Sequence, residues 1–239
     1  APPAVQRSFV LLAIAVSVLL AWRLAWVCDD AFISFRYADN LAHGRGLVWN
    51  PGERVEGFTN FLWTIVLAGA IRLGLDPVQS SVVLGLVALA ATLLAMHRLR
   101  ARILPDGWRG AFPLAVVALA VHHTFAAFGT SGLETMLAAG LALWAVERVV
   151  AGQVFLGSLL GVLATMAHPD HGILWFALGC ALAVNPEKRK QVLRYALPLL
   201  VVYLPYFLAR FAYYGYPWPN TYYAKSGGGM YFSQGLRYW

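Results

Sequence analysis

Residues 28–63 read CDDAFISFRYADNLAHGRGLVWNPGERVEGFTNFLW and hold a large share of the charges of a chain that has few. The surrounding sequence is apolar. Of its 239 residues 60% are hydrophobic and only 12% are charged, against roughly 25% in an ordinary soluble domain. Mean hydropathy is +0.63. Apolar runs of about 17–22 residues recur, and about 20 residues are needed to cross the hydrocarbon, so the composition predicts an integral membrane protein. The runs do not alternate apolar with polar residues, which excludes a β-barrel.

The expected fold is therefore all-α: a polytopic transmembrane helical bundle of about seven spans. The spans are placed at 8–27, 79–96, 110–128, 133–148, 154–168, 172–184 and 194–211. Segment 58–75 is apolar but short and carries Arg72, so it either crosses or lies along the interface. The positive-inside rule separates these cases. If 58–75 does not cross, the basic stretches 97–110, 147–153 and 185–194 all fall on the side of Arg7, the cytoplasm. The first run follows Arg7 and precedes no small-residue cleavage site, so it reads as an uncleaved anchor with a cytoplasmic N-terminus.

With that topology the outer face receives 28–78, 129–135, 168–172 and the segment from 210 onward. The net charge of +7 does not imply nucleic acid, because the basic residues are scattered between apolar runs. Cys28 and Cys180 are not expected to bridge.

Nearly all the chemistry-bearing side chains lie on the outer face. Asp29 and Asp30 precede the helix-compatible AFISFRYADNLA, where an Asp caps a helix through its free backbone amides. Helical spacing places Asp29, Ile33, Arg36 and Asn40 on one face. The two carboxylates therefore read as a cap, as partners of Arg36, or as an active-site base at the membrane surface. Glu53, Arg54 and Glu56 either pair with one another or bind a ligand, a guanidinium suiting phosphate and carboxylates suiting sugar hydroxyls. Glu134, in TSGLET, caps a helix or faces the same cavity as the aspartates. His122, His123, His168 and His171, with Asp170, lack the spacing of a compact metal site and read as interfacial anchors. Tyr213, Tyr214, Tyr216, Trp218, Tyr222 and Tyr223 form an aromatic belt or a platform for sugar rings, with Arg210, Asn220 and Lys225 as donors. The triple glycine at 227–229 allows close approach to a ligand.

This layout resembles the GT-C class of membrane glycosyltransferases over nearly the whole chain. That class has a first span, a large first outer loop with an Asp-containing motif and juxtamembrane helices, then further spans with short inner loops. More narrowly, the stretch from Asp29 to Trp63, TSGLET and YYGYPWPNTYYAK resemble motifs of the bacterial branch that includes the actinobacterial terminal arabinofuranosyltransferases. The resemblance implies an enzyme that moves a sugar, arabinofuranose in that branch, from a polyprenyl-phosphate donor to a cell-envelope glycan or glycolipid hydroxyl. It implies catalysis by Asp30 or Asp29 and donor or acceptor binding by Arg36, Glu53, Arg54, Glu56, Glu134, His168, Asp170, Arg210, Asn220, Tyr222 and Lys225. His168 stands where the branch often has Arg, so a phosphate contact there becomes pH dependent. A divalent metal is an open cofactor, since some members of the class use one and many do not. The family also implies further C-terminal spans, and often an outer domain, beyond the GLRYW at which this sequence stops. The rival class is a transporter or flippase for a lipid-linked solute, although transporters usually place polar groups near the membrane midplane.

Overall fold

The computed structural model describes residues 3–105, 108, 110–225 and 236–237. Among them every regular element is helical. Twelve α-helices follow in chain order: α1 (Pro3–Arg23), α2 (Ala31–Ala42), α3 (Phe61–Arg72), α4 (Pro77–Ile103), α5 (Leu114–Ala120), α6 (His123–Phe128), α7 (Thr135–Val150), α8 (Val154–Ala167), α9 (His171–Val184), α10 (Val192–Pro198), α11 (Leu204–Tyr214) and α12 (Asn220–Lys225). A π-helical turn, Leu199–Tyr203, joins α10 to α11. The triple glycine at 227–229 lies outside the described residues.

Among the described residues three helical stretches are long and apolar enough to cross a membrane: Val5–Arg23, Pro77–Ile103 and Arg189–Tyr214. They answer to the first, second and last expected spans. Their large apolar side chains face outward, as Leu11, Leu12, Val83, Val87, Leu193 and Val201 do. Lipid accounts for such a surface where water does not.

The remaining expected spans are shorter. Helices α8 and α9 have 14 residues each, and at 1.5 Å per residue each is about 21 Å long against a hydrocarbon core of about 30 Å. The expected span 110–128 is two helices, because Pro113 precedes α5 and the chain turns at Val121 and His122. There the His122 ring accepts the Phe125 amide and caps α6. The segment expected to lie along the membrane forms α3, whose 12 residues span about 18 Å.

Small residues set how closely the helices pack. A Cβ on Gly140 of α7 would stand 2.8 Å from Thr92 Oγ1 of α4, and one on Gly85 of α4 would stand 2.1 Å from the Gly129 carbonyl. Helix α7 lies between α4 and α8, while α2 pairs with α3. Phe35, Ala38, Trp63 and Leu67 form the α2–α3 core. The Trp63 indole donates to the Gly132 carbonyl at 2.9 Å, which docks this pair onto the turn before α7.

Candidate active site

The helix that follows Asp29 and Asp30 holds the loop beyond it in place. Tyr37, buried on α2, donates its hydroxyl to the Val55 carbonyl at 2.8 Å and accepts the Gly57 amide at 2.9 Å. Burial raises the Tyr37 pKa; the Gly57 amide opposes that and the Glu56 charge adds to it, so the hydroxyl stays protonated and able to donate. Asn40 donates to the Val48 and Trp49 carbonyls at 2.7 and 2.9 Å. Residues 47–57 form no helix or strand, and beyond the turn from Asn50 to Glu53 these side chains provide partners for their backbone.

The same loop is tied to the end of α11, in the last candidate membrane-crossing stretch. Arg210 of α11 grips Glu56 through Nε–Oε1 at 2.8 Å and Nη2–Oε2 at 2.6 Å, and its Nη1 donates to the Pro217 carbonyl at 2.8 Å. The Asn220 amide donates to the Glu56 carbonyl at 2.9 Å, and the Tyr214 hydroxyl to the Leu47 carbonyl at 2.7 Å.

Three adjoining clefts run along this seam. The first, about 360 Å³, is lined by Arg54, Glu56, Tyr214, Trp218, Asn220 and Tyr223 among others. The second shares Glu56 and Trp218 with it and adds Thr59, Pro169, Tyr206 and Arg210. The third, about 410 Å³, continues past Thr59 and Trp218 to His168, Asp170, Tyr222 and Lys225. Arg54 lies over the Tyr213 ring, 4.6 Å from its centre, so its guanidinium plane is held at the mouth of the first cleft. His168 Nδ1 is 3.7 Å from Asp170 Oδ2. The groove thus brings together Arg54, Glu56, His168, Asp170, Arg210, Asn220, Tyr222 and Lys225.

The other expected site residues stand apart from it. Asp29 and Asp30 are exposed at the α1–α2 junction and line none of these three clefts. The capping reading is corrected here. Asp30 occupies the N-cap position of α2 without a side-chain hydrogen bond to the helix, and its backbone is already helical. Asp29 accepts the Asp30 amide at 3.0 Å and the Cys28 thiol at 3.3 Å instead. Arg36 turns away from Asp29: it donates to the Trp49 carbonyl at 3.2 Å and lies over the Trp49 ring. Glu53 accepts from Asn50 at 3.1 Å rather than from an arginine. Glu134 does not cap α7 and takes the Asn60 amide group at 2.6 Å.

Asn60 was not singled out by sequence and is the junction between these two regions. Buried with Ser34 and Thr64, its side chain meets Ser34 Oγ at 2.9 Å and accepts from Thr64 at 3.2 Å. Thr59 beside it lines the groove. On the other side, the Cys28 amide donates to the Ser131 carbonyl at 2.8 Å, so the aspartates follow directly on the turn that carries Glu134. A polar residue just ahead of the apolar FLWTIVLAGAI was the one available signal for Asn60.

One group of potential metal donors occurs among the described residues: Cys28, Asp29 and Asp30, with ligand atoms within 4.8 Å of one another. The Asp30 amide stabilises the Cys28 thiolate, but the bond to Asp29, desolvation and the two carboxylate charges together raise its pKa. A protonated thiol is a poor ligand, while two carboxylate oxygens with water suit a hard divalent ion. Both cysteines are free.

The sequence is 32% identical to the terminal β-(1→2)-arabinofuranosyltransferase of Mycobacterium tuberculosis over 94% of this chain and 39% of that protein. It is 31% identical to the enzyme of the same name from Corynebacterium glutamicum, over 91% of this chain and 35% of that protein. The chain is thus similar to these two arabinofuranosyltransferases along nearly all of its own length. It spans less than two fifths of the length of one of these curated relatives and little more than a third of the other. No family model and no solved structure matches it. The similarity takes in more than nine tenths of this chain.

Proposed function

We propose that this chain is the N-terminal transmembrane module of a GT-C glycosyltransferase. It transfers a sugar, arabinofuranose by its likeness to the two relatives, from a polyprenyl-phosphate donor to a hydroxyl of a cell-envelope glycan or glycolipid. The observation that carries the reading is the similarity over more than nine tenths of the chain. The aromatic, cation-flanked groove supports it, because tyrosine and tryptophan faces stack on sugar rings while Arg54 and Lys225 suit phosphate. The module lies in the cytoplasmic membrane with about seven passes, the short helices crossing together with the three long ones, and works on the outer face.

The proposed reaction is a single inverting displacement. The acceptor oxygen attacks the anomeric carbon, the bond from that carbon to the phosphate oxygen breaks, and polyprenyl phosphate leaves with the electron pair. Asp30 or Asp29 takes the hydroxyl proton. Both are exposed and uncommitted to a cap, and Glu134 accepts from the Asn60 amide group. Arg54 and Lys225 face the charge that develops on the phosphate. Arg210, held on three sides by Glu56 and Pro217, shapes the groove. A divalent ion, where one is used, fits Asp29 and Asp30 and would stabilise phosphate charge. A transporter reading has no comparable support, since the two relatives are named transferases.

The test is transfer of radiolabelled arabinose from decaprenyl-phosphate-arabinose to an arabinan acceptor by the full-length protein in proteoliposomes. Asp30→Asn and Asp29→Asn, separately and together, should cut the rate by about 10²–10⁴-fold for whichever is the base. Full activity in the double variant overturns the assignment.

A further inference from the structure

At the end of the bundle where α4 and α7 both terminate, cations gather around a single buried carboxylate. Glu147 has no exposed surface. It accepts from Arg102 at 2.6 Å and from Arg148 next to it, and Arg98 approaches to 4.0 Å. Three guanidinium groups therefore share one negative charge among the described residues, leaving an excess of about two positive charges in a confined space.

These cations are graded in depth. The Arg148 side chain is 13% exposed, with Nη2 buried and without a hydrogen-bond partner among the described residues; Arg102 is 37% and Arg98 49% exposed. The base of the cluster is fixed and its rim is open. Trp144 locates it relative to the membrane. Its indole donates to the Ala91 carbonyl at 3.0 Å, and Arg98 and Arg148 lie 5.7 and 5.2 Å from its ring centre. Arginines clustered with a half-buried tryptophan at the ends of apolar helices mark headgroup level, where lipid phosphates are. Arg98 and Arg102 are one helical turn apart, so both forks point along the same side of α4.

We propose that Arg98, Arg102 and Arg148 form a binding site for the phosphate of an anionic phospholipid headgroup, seated beside Trp144 at the ends of α4 and α7. Glu147 is the fixed base that keeps the guanidiniums together, and the lipid phosphate supplies the second negative charge. The fork of an arginine matches two phosphate oxygens, and the site is separate from the groove around Glu56.

The experiment uses the full-length protein and native mass spectrometry with phosphatidylglycerol and phosphatidylcholine, alongside melting in nanodiscs of each lipid. Wild-type protein should retain phosphatidylglycerol about tenfold more tightly than phosphatidylcholine, and Arg98→Gln with Arg102→Gln should abolish that preference, with a lower melting temperature in both lipids because Glu147 loses its Arg102 partner. Arg98→Gln alone leaves the Arg102–Glu147 pair intact; it should weaken the preference and serves if the double variant does not fold. Equal affinity for the two lipids in wild type, or an undiminished preference in the variants, overturns the proposal. Inorganic phosphate that binds as tightly as phosphatidylglycerol overturns the lipid as ligand.

Discussion

Glu56 and Arg210 are 154 residues apart in sequence and form a two-pronged ion pair at 2.6 and 2.8 Å, with side chains 5% and 8% exposed. Through it the loop after α1 is locked to the end of α11. The pair also anchors Pro217, and the Asn220 amide binds the Glu56 carbonyl, so the aromatic wall of the groove depends on the lock.

Breaking the lock from one side should be severe. Glu56→Ala strands a buried guanidinium, and the expected loss is about 3–5 kcal/mol of stability, read as a large drop in melting temperature. Glu56→Gln keeps the shape and one acceptor and should lose less. A double-mutant cycle with Arg210→Ala should show strong coupling; additive losses would mean that the two residues act independently.

Gly132 should tolerate no side chain. Its φ is +80°, and a Cβ would stand 2.8 Å from both Ala31 Cβ and Val27 Cγ1, side-chain atoms of residues on either side of the aspartates. Gly132→Ala is expected to cost about 1–3 kcal/mol and to lower transfer activity by shifting Asp29 and Asp30. Unchanged melting would show that the turn relaxes freely.

Tyr37→Phe removes the hydroxyl that serves both Val55 and Gly57. A loss of about 1–3 kcal/mol is expected from the unsatisfied backbone groups, with KM affected more than kcat, because the change loosens the loop bearing Arg54 and Glu56. A change in kcat alone would point away from a positioning role.

Glu134→Gln separates a charge role from a structural one. Gln retains the carbonyl that accepts from Asn60, so melting should change by less than about 1 kcal/mol equivalent. If Glu134 supports the reacting carboxylates, transfer should fall and the alkaline or acid limb of its pH profile should move. A wild-type profile would confine it to packing.

Much of the site could be read in the sequence because charge is scarce in an apolar chain. Arg54, Glu56, His168, Asp170, Arg210, Asn220, Tyr222 and Lys225 stand out against their surroundings, and the structure gathers them on one groove. Their partners could not be read. The local partner expected for Glu56 was Arg54, and its carboxylate pairs with Arg210. Buried Asn60 and Glu147 had no local pattern to distinguish them from ordinary loop polarity.

The sequence by itself determined the all-helical class, since hydrophobic run length and the absence of alternation are local properties that lipid selects directly. It determined the three long crossing candidates for the same reason. Only the tertiary structure decided that 110–128 breaks in two, that Asp29 and Asp30 are left uncapping, and that Arg210 belongs to Glu56. Arg210 and Glu56 stand 154 positions apart, so geometry rather than residue type chooses that partner, while the turn at His122 and the bonds of Asp29 to Cys28 and Asp30 are local choices among alternatives that residue type leaves open.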